Sequence, residues 1–149
     1  MLELQEISDR LEIQDLTWRY AELIDSGDFE RLRDDVFTDD AFIDYTELGG
    51  PAGDLESTIA FLAGAMALFN GYQHLTANHR ISIDGDRAMG RIMCFNPMGI
   101  GPKAPDLAGH VYFCGLWYVD EYRRSDRGWR IARRYAELSY KHNLPPGWD

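Results

Sequence analysis

The sequence predicts an α+β fold: a curved, mostly antiparallel sheet whose inner face is covered by three N-terminal helices. Three observations point there. Apolar residues at helical spacing dominate the first half of the chain, and four long strand-like runs with turn signals between them fill the second. A sheet of that length has a face to hide, and the helices are the available cover.

Residues 4–25 set Leu4, Ile7, Leu11, Leu16, Tyr20 and Leu23 or Ile24 three and four apart among Glu, Gln, Asp and Arg, which predicts an amphipathic helix. Ser26-Gly27 stops it, and Asp28 is placed to cap a short second helix over FERLRDD. VFTDDAFIDYTEL, rich in strand formers, reads as a strand. GGPAGD is a loop whose Asp54 caps a third helix, LESTIAFLAGAMALF, so apolar all round that it should be covered on most faces. Strand runs follow at 72–83, 87–98, 108–123 and 128–140. Asp84-Gly85-Asp86 joins the first two as a tight hairpin, GIGPKAPDLAG the second and third, and RSDRG the last two. Pro145-Pro146 bars HNLPPGWD from continuing the strand, so the ending reads as a flap or an intersubunit arm.

Composition narrows the function classes. The 149 residues, 45% hydrophobic, suit one domain over 1–149 that buries a core and encloses a small cavity. A net charge of −10 is repelled by phosphate backbones and anionic lipid, so a small-molecule substrate is expected rather than nucleic acid or membrane. No run is long enough to span a bilayer and MLELQEISDRLEIQDL has no apolar signal core, so a soluble cytoplasmic protein is expected. Cys94 and Cys114 sit in separate strand runs and read as packed, reduced thiols. The acids and histidines lack metal-ligand spacing, and neither a glycine-rich phosphate loop nor GxSxG is present; no metal and no cofactor are expected.

Asp25 is electrostatically odd, because a carboxylate in a helix's last turn meets the negative dipole end at a cost of about 0.3–1 kcal/mol. Two readings stay open: a solvent-facing turn residue beside Ser26 and Gly27, or a continuation of the Trp18 and Ala21 stripe that needs a donor. Histidine suits that need, since one ring nitrogen donates to a carboxylate while the other works as a base. Of His74, His79, His110 and His142, alternation favours His79, which shares parity with Ile81 and Ile83. His74 faces inward as well only if a bulge intervenes near Thr76 to Asn78. Asn96 shares parity with Ile92, Cys94 and Met98, and a buried amide must find partners. Tyr20, Tyr45 and Tyr118 are polar points on apolar faces, each either a core aromatic or a donor. Trp117 and Trp129 are assigned to packing.

IQDLTWRYAELIDSGDFERLRDDVFTDDAFIDY, QHLTANHRISIDGDRA and LWYVDEYRRSDRGWRIARR together resemble the SnoaL-like branch of the NTF2-like superfamily, across most of the chain. The resemblance implies a cone: a curved mixed sheet wrapped around three N-terminal helices, with a deep pocket at its open end. Two relatives, scytalone dehydratase and γ-hexachlorocyclohexane dehydrochlorinase, are cofactor-free lyases with an aspartate at the end of the first helix and a histidine opening a later strand. By motif, IDSGD places that aspartate at Asp25 and QHLTAN places that histidine at His74. The dehydratase tyrosine that holds a water on the substrate carbonyl matches Tyr45.

The sequence also departs from its relatives. Ile24 stands where the dehydratase has a second tyrosine, and Leu116 and Tyr118 where it has serine and asparagine. Tyr20 replaces the dehydrochlorinase lysine; a related bile acid dehydratase keeps a tyrosine there and an acid near the position of Asn96. The reading implied is a dehydratase-like lyase eliminating water from a small cyclic hydroxy-carbonyl compound. Its catalytic residues would be His74, Asp25 and Tyr45, and its substrate-binding residues Tyr20, Asn96, Tyr118, Leu116 and His79. The lyase relatives imply a homotrimer, and other members a dimer. The alternatives are a ketosteroid-isomerase-like double-bond isomerase, a dehydrohalogenase, and a non-catalytic binding protein or dioxygenase small-subunit-like protein.

Overall fold

The computed structural model describes residues 1–148. Its helices are α1 (Leu4–Ser26), α2 (Leu32–Asp35) and α3 (Leu55–Met66). Its strands are β1 (Phe37–Asp44), β2 (Ala52–Asp54), β3 (Phe69–Tyr72), β4 (Leu75–Asp84), β5 (Arg87–Ile100), β6 (Val111–Ser125) and β7 (Gly128–His142). They form one sheet in the order β2-β1-β7-β6-β5-β3, with β4 also paired to β5. The β1–β7 pair is parallel and the others are antiparallel.

Bulges curve the sheet. Register slips between Ala77 and Arg80 on β4, and twice along the β6–β7 ladder, at Gly115/Leu116 and Glu121/Tyr122. Each extra residue bends its strand and strengthens the local twist, so the sheet wraps around the helices. Ile13, Leu16 and Ile24 of α1 pack there against Ile92 of β5, Leu116 of β6 and Ile131 of β7, all essentially inaccessible. This is the cone that the resemblance implies.

α1 ends as its sequence predicts. Gly27 takes φ +76° and donates to the Ile24 carbonyl, while the Asp28 N–H reaches back to Leu23, a paired closure that only a left-handed residue at Gly27 permits. Asp54 caps α3, accepting from the Ser57 N–H at 2.9 Å. Asp84 pairs with Arg87 across a two-residue turn in which Gly85 has φ +58°.

Several expectations need correction. Leu4 and Leu11 are 82% and 60% exposed, because the inward position of the first turns is Asp9, held by Arg124 at 2.7 Å and by the Trp129 indole at 3.1 Å. The apolar stripe begins only at Ile13. Asp28 makes no capping bond, since the chain there enters a single 3₁₀ turn, Phe29–Arg31, ahead of α2. α3 is not covered on most faces. Leu55, Thr58, Ile59 and Leu62 are its buried stripe, and Ala60, Ala63, Gly64 and Ala67 face solvent, where small side chains expose little apolar area.

The run predicted over 72–83 is broken. β3 pairs with Met98–Ile100 and β4 with Arg87–Phe95, so Gln73 and His74 lie between two ladders. Pro97 stands opposite the gap, where its missing N–H costs no ladder bond and its carbonyl accepts from Gln73.

Candidate active site

The break frees the His74 main-chain N–H from the sheet ladder and leaves it in need of another acceptor. It finds Asp25. From the last turn of α1, Asp25 Oδ2 accepts the His74 N–H at 3.0 Å and Oδ1 accepts the ring Nδ1–H at 2.7 Å. The two contacts fix backbone and imidazole together, and the His74 side chain is only 6% exposed while Asp25 keeps 29%. With Nδ1 carrying the proton, Nε2 presents its lone pair inward, where the Asn96 amide N–H reaches it at 3.0 Å. Asn96 Oδ1 is buried without a partner among the described residues, an acceptor left over for a hydroxyl. The rings of Tyr20 and Tyr72 each stand edge-to-face with the imidazole, at a centroid separation of 6.4 Å.

Beside this pair the Tyr20 and Tyr45 hydroxyls share a hydrogen bond of 2.7 Å. Burial pushes the phenol pKa values of Tyr20, Tyr45 and Tyr118 upward, so all three stay neutral and able to donate. Behind them lies Arg134, sandwiched 4.1 Å from the Tyr20 ring and 4.0 Å from the Tyr118 ring. Asp120 holds it through two hydrogen bonds of 2.8 and 2.7 Å and itself accepts from Tyr122 at 2.9 Å. Burial works against the Arg134 charge, but the Asp120 carboxylate wins and holds its pKa well above the ordinary value. The result is a buried ion pair whose guanidinium lies against the Tyr20 and Tyr118 rings.

A cavity of about 330 Å³ opens above these groups. His74, Asn96, Tyr20, Tyr45, Leu116 and Tyr118 all line it, whereas Asp25 stands behind the imidazole. Phe61 and Met66 of α3 and Met98 of β5 supply apolar wall. The C-terminal segment closes over its own chain as a flap: Leu144 and Trp148 line the cavity, and Trp148 meets the rings of Tyr112 and Phe69 at 5.9 and 6.3 Å. Asn143 pins the flap at its start, donating to the Val111 carbonyl and accepting from His110 at 2.6 Å each. Cys114 also faces the cavity, and burial raises its thiol pKa, leaving a neutral group there. Among the described residues no three His, Cys, Asp or Glu converge to hold a metal ion. No helix of the described residues is long and apolar enough to cross a membrane.

His79 is the correction to the expected set. The slip between Ala77 and Arg80, centred on Asn78 with φ +51°, turns both His74 and His79 to the inner side. His79, however, packs on α1 against Thr17 at 2.7 Å and edge-on to Trp18 at 6.3 Å, and it does not line the cavity. The Arg134–Asp120 pair is what sequence reasoning missed. Asp120 shares the parity of Leu116, Tyr118 and Tyr122, so an acid on the inner face was the available signal for a buried partner.

The SnoaL-like domain family matches residues 5–135 of the chain. Over 134 residues the chain is 45% identical to the uncharacterized protein Rv2910c of Mycobacterium tuberculosis, covering 90% of this chain and 88% of that one. The Kfla4162 protein of Kribbella flavida superposes with a TM-score of 0.84 at 27% identity, covering 93% and 95% of the two chains. A Novosphingobium aromaticivorans protein provisionally named scytalone dehydratase gives a TM-score of 0.79 at 18% identity, with 97% of each chain covered. Hexachlorocyclohexane dehydrochlorinase LinA-type3 of Novosphingobium barchaimii gives 0.78 at 19%, covering 96% and 99%. The last two likenesses are of fold. By sequence and by architecture, the chain belongs to the SnoaL-like domain family of the NTF2-like superfamily.

Proposed function

We propose that the protein is a cofactor-free lyase of dehydratase type, acting on a small cyclic hydroxy-carbonyl compound. The observation that carries this reading is the imidazole gripped by one carboxylate at both Nδ1 and the main chain, with Nε2 turned into a cavity. That is the arrangement a general base needs: a fixed tautomer, an oriented ring and room for a substrate.

In the proposed reaction His74 Nε2 replaces its contact with Asn96 by one to the substrate and takes the proton alpha to the carbonyl. The C–H electron pair moves into an enolate, and Asp25 stabilises the imidazolium that forms. The Tyr20 and Tyr45 hydroxyls give up their mutual hydrogen bond and donate to the enolate oxygen, and the buried charge of Arg134 strengthens both as donors. As the enolate collapses, the β-carbon–oxygen bond breaks and the imidazolium returns its proton to the departing hydroxyl, which leaves as water. Asn96 Oδ1, with no partner of its own, accepts from that hydroxyl beforehand. The helix-end cost of Asp25 is then offset most when the imidazolium appears, which is where it lowers the barrier.

The test is turnover of a panel of cyclic β-hydroxyketones in deuterated water, followed by mass spectrometry. Loss of water with the wild-type protein, reduced about 10²-fold or more in Asp25→Asn, is expected from a dyad whose orienting carboxylate is gone. Deuterium uptake without loss of water would replace the lyase by an isomerase. Undiminished turnover in Asp25→Asn would end the dyad reading.

A further inference from the structure

Among the described residues twenty line the cavity and none of them is an acid, in a chain with 25 acidic residues and a net charge of −10. Lys141 is among them, one of only two lysines in the whole sequence. It makes no ion pair among the described residues. Glu47, which bonds the same strand, is occupied with the Tyr135 hydroxyl and the Leu138 N–H and does not line the cavity.

Lys141 faces inward because of a bulge. Leu138 pairs with Leu116 and Tyr140 with Gly115, so Ser139 is an extra residue in β7. Continuous alternation from Leu138 would have put Tyr140 inside and Lys141 outside. The bulge reverses them. Tyr140 lies on the outer face across Gly115, where its ring fills the space a Cβ would need, and Lys141 falls opposite the cavity-lining Cys114.

A row of inward side chains results. His74 contacts Asn96, Asn96 is registered with Cys114, and Cys114 with Lys141. Two strand spacings separate Asn96 from Lys141, about 10 Å along the sheet. That is the length of a one- or two-ring molecule.

We propose that Lys141 recognises a carboxylate, or a like anionic group, on the substrate, at the end remote from the carbon that reacts beside His74. The proposal rests on the reading that this cavity holds the substrate. It adds a constraint that reading lacks: the substrate is an amphiphile, ring-sized and apolar along its middle, polar at the reacting end and anionic at the other. The described lining residues carry no acid, so such a ligand meets no like charge from them inside a protein whose overall charge would otherwise repel it.

The test is calorimetric titration of the full chain with naphthoate and with naphthamide, a pair of equal size that differs in charge. Naphthoate should bind about three- to tenfold more tightly at low salt, the range of a partly exposed charge-assisted contact, and the preference should shrink in high salt. Lys141→Met should abolish the preference and Lys141→Arg should retain it. His74→Ala should retain it too, which excludes a protonated His74 as the cation. Equal affinities in the wild-type protein, a preference surviving in Lys141→Met, or naphthoate failing to bind would each overturn the proposal. Failure of the Asp25→Asn turnover test leaves this binding difference untouched, so the two readings fall separately.

Discussion

His74 and His79 sit within one strand's length of each other, both turned to the inner side of the sheet, yet they carry opposite tautomers. The His74 Nδ1–H is committed to Asp25, leaving Nε2 for the cavity. His79 has the reverse arrangement: the Thr17 hydroxyl already donates to the Gln14 carbonyl at 2.8 Å, so the His79 Nε2–H must donate to it. The space beyond each ring differs as well, since α1 fills it at His79 and the cavity leaves it open at His74. Facing inward is therefore not what makes a histidine available. Availability needs an orienting acceptor on one nitrogen and unfilled volume at the other.

Exchanging the two positions gives the largest effect. His74→Ala should lower kcat by about 10²–10⁴-fold, the worth of a placed base. His79→Ala should leave it unchanged and instead lower the midpoint of urea unfolding. Equal losses of activity would erase the distinction between them.

A smaller effect is expected at the bulge that aims both rings. Asn78 has φ +51°, a conformation that glycine tolerates and a β-branched residue does not. Asn78→Val should cost about 1–2 kcal/mol in denaturant unfolding, and Asn78→Gly only a fraction of that. A valine variant as stable as the wild type would show that the turn of the chain does not depend on this residue's conformation.

The smallest effect is a pH dependence. Burial lowers the pKa of His79 from its ordinary 6.5, so the unfolded chain binds the proton more readily than the folded one. Its contribution to stability is present above that unfolded value and is lost as pH falls through the lower folded one. Unfolding midpoints measured between about pH 7 and pH 5 should therefore fall less steeply in His79→Gln than in the wild type. Parallel slopes would mean that His79 is not held neutral by its surroundings.

Much of the fold follows from local chemistry. The stop at Ser26-Gly27, the Asp54 cap and the Gly85 turn are properties of a few adjacent residues, legible without knowing what packs on them. So is the inward parity of Asn96, whose buried neighbours Ile92, Cys94 and Met98 share its face. The start of the α1 stripe was not legible, because Asp9 is inward only through Arg124 and Trp129, which lie more than a hundred residues away. The bare face of α3 is similar: an alanine-rich helix carries no mark of which sides the sheet will reach.

The candidate site divides the same way. His74 lies out of step with His79 by simple alternation, and the motif resemblance, not the pattern, singled it out. The sequence by itself determined the order of elements, the placing of Asp25 in a helix's last turn and the inward parity of Asn96. Periodicity and capping are set by neighbours along the chain, within reach of any reading of it. Only the tertiary structure decided which of those residues share a cavity. The slips at Asn78 and Ser139 reset alternation partway along their strands, and a register shift of one residue moves every later side chain to the other face. The Asp25–His74 contact and the inward turn of Lys141 both depend on such breaks in regular pairing, which arise where strands must bend around the helices they enclose.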